Sequence, residues 1–174
     1  IHDWKHTRYD PNDDWSASGR VSMKFLEKLL DDSYFSLEPP KSTGKENFNL
    51  DYIKRNLDDL PKMKPADVQS TLCEFTAITA AKAIERWGPD SARVVVCGGG
   101  RLNSDLMQRL HTHLDTQQVI RSEEINVDGD SLEAGAFAWL ARCFIDRMPG
   151  NVPSVTGASG ERVLGCLYPS GASA

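Results

Sequence analysis

The sequence predicts an α/β fold, and three adjacent features carry that assignment. Arg93-Val94-Val95-Val96-Cys97 is a short β-branched run with no polar alternation, Gly98-Gly99-Gly100 follows directly, and Asn103-Ser104 then offers a helix cap. A strand without alternation is what a strand covered on both faces requires, so 93–97 is expected at the centre of a sheet. At 174 residues and 40% hydrophobic content, the chain can bury one sizeable core, as one domain or a domain with helical appendages. It divides into a mainly helical stretch with an irregular loop, 1–90, and a strand, glycine-turn and helix core with a tail, 91–174.

Asn12-Asp13-Asp14 supplies N-cap candidates, and Trp15, Val21, Phe25, Leu26, Leu29 and Leu30 recur at helical spacing up to Asp31-Asp32-Ser33. This predicts one long amphipathic helix. The stretch Tyr34 to Asn49 holds Pro39-Pro40 and Gly44 and has neither period, which reads as an irregular loop. Asn49 can cap a short helix to about Leu57. Pro65 suits the first turn of a helix running through Val68, Leu72, Phe75, Ile78 and Ile84 to a stop at Gly88-Pro89. Beyond the glycines, Leu106, Met107, Leu110 and Leu114 form the inner face of the next helix. Val119-Ile120 is a weak second strand. Leu132 to Ile145 is apolar nearly all round and is therefore expected to be a buried helix. From Pro149 the chain reads as loop, closing with a strand at Val163 to Leu167.

Lys and Arg total 20 against 25 Asp and Glu, and the formal charge of -5 offers no long-range attraction for nucleic acid or anionic lipid. A small molecule or a protein is the expected partner. No apolar run approaches the roughly 20 residues that span a bilayer, and the start lacks a signal-peptide pattern, which predicts a soluble, cytoplasmic protein. Cys73, Cys97, Cys143 and Cys166 are widely separated among apolar residues, so they read as four buried thiols in a reducing compartment. Ile1-His2-Asp3-Trp4 reads as the middle of an amphipathic segment, and the chain is expected to be a fragment whose upstream part is missing.

The triple glycine is the strongest candidate site. Glycine permits positive φ and close backbone approach, and a helix N-terminus offers unpaired N–H groups with a partial positive charge, so the turn suits a phosphate or nucleoside. The alternative is a tight turn that needs glycine for its geometry alone. The pattern is not a P-loop, having no Gly-Lys-Ser/Thr, and Asn103 stands where a dinucleotide fingerprint has its third glycine. Glu123, roughly 20 residues on, sits where a ribose-binding acid would, which keeps a nicotinamide-dependent oxidoreductase open. In Asp130-Ser131-Leu132-Glu133, Asp130 and Glu133 read either as an acidic capping box or, for Glu133, as a lone carboxylate that accepts hydrogen bonds from a polyol beside small residues.

Lys41-Ser42-Thr43-Gly44-Lys45 follows prolines rather than a strand and reads as an exposed loop, and the hydroxyls of 153–159 as turn formers. His111 and His113 lie two apart and are expected to be solvated. His2 and His6 have i, i+4 spacing without a zincin glutamate, so no metal site is expected.

Several segments together resemble the C-terminal half of the anhydro-N-acetylmuramic acid kinase family. They are Pro39 to Asn49, Asp67 to Leu72, Val96-Cys97-Gly98-Gly99-Gly100 with Asn103, Glu133-Ala134 with Ala136 to Ala141, and Pro149 to Ser159 with Val163-Leu164-Gly165. The likeness spans nearly the whole chain. It implies a ribonuclease H-like, actin-like ATPase fold in which two α/β domains close over ATP, this chain being most of the second, with appended helices. It also implies ATP and Mg²⁺ as cofactors, an anhydrosugar substrate, the protein's own N-terminal domain as partner, and a homodimer among the allowed assemblies. Such kinases add water across the 1,6-anhydro bond while phosphorylating O6, in peptidoglycan recycling.

The resemblance makes Gly98, Gly99, Gly100 and Asn103 nucleotide-binding and Glu133 substrate-binding. It assigns no catalytic residue here, because the family's Asp-Thr-Gly-Pro-Gly-Asn segment is expected upstream of Ile1. His2 interrupts the pattern that follows that segment, and Gly135 replaces a bulkier residue, which leaves a levoglucosan-type kinase open. A sugar-binding relative without the chemistry is the remaining alternative.

Overall fold

A computed structural model describes His6, Asp10 and residues 14–168. The cap candidates Asn12 and Asp13, and His2 and Asp3, lie outside the described residues. The chain forms two compact units, Ile1–Ser36 with Thr43–Asp130, and Leu37–Ser42 with Ser131–Ala174.

In the first unit, the single helix expected after Trp15 is two helices, α1 (Asp14–Ala17) and α2 (Met23–Leu30). The break is imposed from outside the segment. A Cβ on Gly19 would lie 2.0 Å from the Ala66 carbonyl oxygen. The N–H groups of Arg20 and Ser22 donate to Asp67 Oδ1 at 2.8 Å and Thr71 Oγ1 at 2.9 Å, and not to a turn of their own. Ser22 then caps α2, accepting from the Phe25 N–H. The loop that follows begins with a 3₁₀ turn, Ser33–Ser36, and is anchored by rings: Phe35 and Phe48 pack 5.5 Å apart, Phe35 lies edge-on to Phe75 at 5.4 Å, and Phe48 to Tyr52 at 5.0 Å.

Helix α3 (Leu50–Leu57) starts at Asn49, whose side chain accepts from the N–H groups of Asp51 and Tyr52. Helix α4 (Pro65–Trp87) opens with proline and stops at Gly88, both as expected. Its 23 residues span about 35 Å and serve two cores. Val68, Leu72 and Phe75 join Phe25, Leu29 and Tyr52, whereas Ala77, Ala80, Ala81 and Ile84 join Met107, Leu110, Leu114 and Val119.

Strands β1 (Arg93–Val96) and β2 (Gln118–Arg121) pair in parallel, with Val94 opposite Val119 and Val96 opposite Arg121. Between them runs α5 (Ser104–His113), with Met107, Leu110 and Leu114 buried. This is the β-α-β unit read from the sequence, with one correction. β1 alternates between exposed and half-buried positions, Val95 being 40% exposed, so it is not covered on both faces. A run of β-branched residues records what a strand can tolerate, and its neighbours decide the cover.

The second unit departs furthest from expectation. Helix α6 (Leu132–Ile145) forms, but Cys143 is its only buried residue, while Phe137 is 65% and Ile145 71% exposed. Val163 to Leu167 is not a strand. Gly165 stands at φ 116 against the Phe144 ring, outside extended geometry, and the segment is held by a loop closure in which the Gly150 N–H donates to the Arg162 carbonyl and the Arg162 N–H to Asn151 Oδ1. A short helix α7 (Pro153–Thr156) ends at Gly157, where a Cβ would meet Pro40 Cγ at 3.2 Å; the Pro39-Pro40 bond is cis. Of the four thiols, Cys73 and Cys143 are buried, but Cys97 and Cys166 are exposed, because each lies in a segment that leaves the regular elements. Among the described residues no helix is long and apolar enough to cross a membrane.

Candidate functional site

The triple glycine lies at the carboxyl end of β1, the edge at which parallel sheets bind ligands. Gly98 adopts φ 67 and ψ -174, a region essentially confined to glycine. The chain then tightens into a 3₁₀ turn, Gly99–Leu102, before α5 begins. A Cβ built on Gly98 or Gly99 meets nothing within 4 Å, and one on Gly100 makes only ordinary contact with Leu106. Internal packing therefore does not explain why Gly99 is glycine. The turn opens onto space, as a ligand cradle would.

Its polar atoms are partly committed. The Gly98 N–H donates to the Gly129 carbonyl at 3.2 Å. Asn103 Oδ1 accepts from the Leu106 N–H at 2.5 Å, so this side chain is first of all the cap of α5. The N–H groups of Gly99 and Gly100 open the 3₁₀ turn, where no earlier turn supplies acceptors.

Beneath the turn lies Arg101, which the sequence reading missed. It is 4% exposed. Nη1 donates to the Gly98 carbonyl at 2.9 Å and to Asp130 Oδ1 at 2.8 Å, and Nε donates to Glu123 Oε1 at 2.5 Å. Gly129 carries the guanidinium on its Cα, since a Cβ there would fall 2.4 Å from Nε. The bonds to Asp130 and Glu123 hold Arg101 charged, and the guanidinium in turn keeps both carboxyls below the usual carboxylate range. An arginine after three glycines would ordinarily suggest a phosphate ligand. This one points inward with its charge matched by two carboxylates, so it is not free to grip a phosphate.

Two expectations change as a result. Asp130 does not cap α6, whose N-cap is Ser131 with no side-chain capping bond, because its carboxylate is drawn to Arg101. Glu123, the candidate ribose acid, already has one oxygen bound by Arg101, which weakens the dinucleotide reading. The signal that could have found this clamp was the pairing of a basic residue after one strand with the acidic Asp128-Gly129-Asp130 stretch after the next.

Glu133 lies in the second unit, in the exposed first turn of α6, and Gly135 nearby faces open space. The capping-box reading of Glu133 does not hold. His113 is also not simply solvated: Nε2 lies 2.7 Å from Glu74 Oε1, in a half-buried network where Arg109 binds Glu74 at 2.8 Å and Asp105 at 2.9 Å. The 41–45 segment is irregular, with Thr43 Oγ1 accepting from Asn47 Nδ2. A cavity of about 430 Å³ lined by Ile84, Trp87, Arg93 and Val94 lies at the amino end of β1, away from the turn. Among the described residues no three His, Cys, Asp or Glu side chains converge as a metal site.

Comparison with known proteins adds an independent line. The family model for anhydro-N-acetylmuramic acid kinase matches residues 1–170. Curated relatives bearing that name include one from Pseudomonas savastanoi pv. phaseolicola, 45% identical over 170 residues that cover 98% of this chain and 47% of the relative. One from Xylella fastidiosa is 47% identical over 95% of this chain and 43% of its own length. One from Coxiella burnetii is 44% identical over 92% and 43%. The chain spans less than half the length of these relatives.

Proposed function

The chain belongs to the anhydro-N-acetylmuramic acid kinase family, and from that premise we propose that it is the C-terminal, actin-like domain of an ATP-dependent anhydrosugar kinase. The proposed reaction converts 1,6-anhydro-N-acetylmuramic acid into N-acetylmuramic acid 6-phosphate. The oxygen of water bonds to C1 as the C1–O6 bond breaks, O6 takes the γ-phosphoryl group, and ADP leaves with the water's proton taken by a general base. That base belongs, in this proposal, to a part of the protein other than this chain, and no catalytic residue is assigned here. A role in peptidoglycan recycling follows from the substrate.

The observation that carries the nucleotide part is the open turn at Gly98 and Gly99 on the carboxyl edge of a parallel strand pair. The commitment of Arg101 to two carboxylates supports the uncharged adenosine portion of ATP as the turn's occupant, with the phosphates gripped elsewhere. Mg²⁺ would travel with the triphosphate, as it commonly does; the described residues do not form a metal cage for it. Glu133 is the proposed acceptor for sugar hydroxyls, supported by its exposure and the open space at Gly135.

The test is a coupled ADP-release assay on the intact protein with 1,6-anhydro-N-acetylmuramic acid, levoglucosan and unphosphorylated N-acetylmuramic acid in parallel. The proposal expects ADP release with the first and, in ¹⁸O-water, early label at C1 and none in the phosphate. Turnover of levoglucosan alone would move the substrate assignment, and no ADP release with any sugar would refute the kinase reading.

A further inference from the structure

We propose that Arg101 is a positioning residue for nucleotide binding: it holds the glycine turn in its ligand-accepting shape without touching the ligand. This rests on the reading of the turn as a nucleotide contact. Arg101 is buried against Gly129 and ties its own turn, through the Gly98 carbonyl, to two positions more than twenty residues on: Glu123 in the 3₁₀ turn Ser122–Ile125 that follows β2, and Asp130 in the loop beyond. The Gly98 N–H bond to the Gly129 carbonyl closes the same ring. Both backbone polar groups of Gly98 are thus held, the carbonyl accepting from the Arg101 N–H as well as from its guanidinium, while its Cα side stays open.

A glycine-only conformation followed by two further glycines is entropically costly to hold, and nothing packs on its outer side. The restraint has to come from beneath. A planar guanidinium holds its donors in a rigid fork that meets all three acceptors, whereas a lysine ammonium on its flexible stem would not hold the same set. Since both carboxylates consume the charge, Arg101 contributes geometry and no attraction for phosphate.

The experiment measures KM for ATP, KM for the anhydrosugar, Kd for ADP and thermal midpoint on the intact protein carrying Arg101→Met, Arg101→Lys, Gly129→Ala or Gly99→Val. For Arg101→Met we expect KM for ATP and Kd for ADP to rise about tenfold or more, with the sugar KM within about twofold. Arg101→Lys should fall between wild type and Met. Gly129→Ala, which drives a methyl group into the guanidinium, should reproduce the nucleotide defect and add nothing in an Arg101→Ala background. A purely structural arginine would lower the thermal midpoint and leave nucleotide and sugar constants of the folded enzyme as they were, which overturns the proposal.

If Arg101→Met does not fold, Glu123→Ala with Asp130→Ala removes both acceptors that anchor the guanidinium, and wild-type ATP affinity in that variant overturns it equally. Gly99→Val separates the two levels of inference. Retained ATP affinity there sinks the nucleotide reading itself, whereas loss at Gly99 with none at Arg101 sinks only the clamp.

Discussion

Helices α5 and α6 invert the usual relation between composition and burial. α5, Ser104–His113, is largely polar, yet Met107 and Leu110 are buried against α4 and β2. α6, Leu132–Ile145, is the most apolar helix, yet it leaves Phe137, Trp139 and Ile145 exposed. Apolar content measures how much a segment gains from cover, and the cover itself comes from elements that its own sequence does not encode. The contrast extends to the proposed sites: the glycine turn is braced by a buried arginine paired with two exposed carboxylates, whereas Glu133 stands on an exposed first turn.

The largest effect should come from the stability half of that comparison. In the 174-residue chain, Leu110→Ala should cost about 3 kcal/mol by urea unfolding, whereas Phe137→Ala should stay within about 0.5 kcal/mol. Equal losses would mean that α6 is covered in solution. Next, Gly99→Val in the intact protein should weaken ATP binding by about tenfold, or about 1.4 kcal/mol, with little change in thermal midpoint, since its Cβ meets open space.

Glu133→Ala should raise the anhydrosugar KM severalfold and leave ATP affinity and melting unchanged. A lowered thermal midpoint alone would show that the residue supports the helix start after all.

The smallest effect concerns acid. Burial raises the Glu74 carboxyl, but the bonds from Arg109 and His113 outweigh it and hold the group below its ordinary value of 4.5. A depressed carboxyl stabilises fully above that value and loses its contribution as pH falls further, so the thermal midpoint should decline below about pH 4.5 more steeply than in Glu74→Gln. Parallel curves for the two proteins would remove Glu74 from the acid response.

Legibility in the sequence tracked the range of the forces involved. The Asn49 and Asn103 caps, the proline start and glycine stop of α4, and the β1, turn, α5, β2 order were all readable, because each is set within a few residues. The break at Gly19 was not, because the obstacle is Ala66, 47 positions away, the same separation as the bond from Arg20 to Asp67. Asp130 was legible as a charged residue before a helix, but its choice of Arg101 over a cap depends on a partner 29 residues distant.

What the sequence determined by itself was the α/β class, the family and the glycine turn, since local backbone preference and a chain of specific short segments suffice for these. What only the tertiary structure decided was which polar groups near the turn are already spent and which apolar surfaces go uncovered. Arg101 shows the reason: hydrogen bonds and burial are settled by which groups meet, and a guanidinium that sequence would aim at a phosphate is turned inward by two carboxylates that folding brings beneath it.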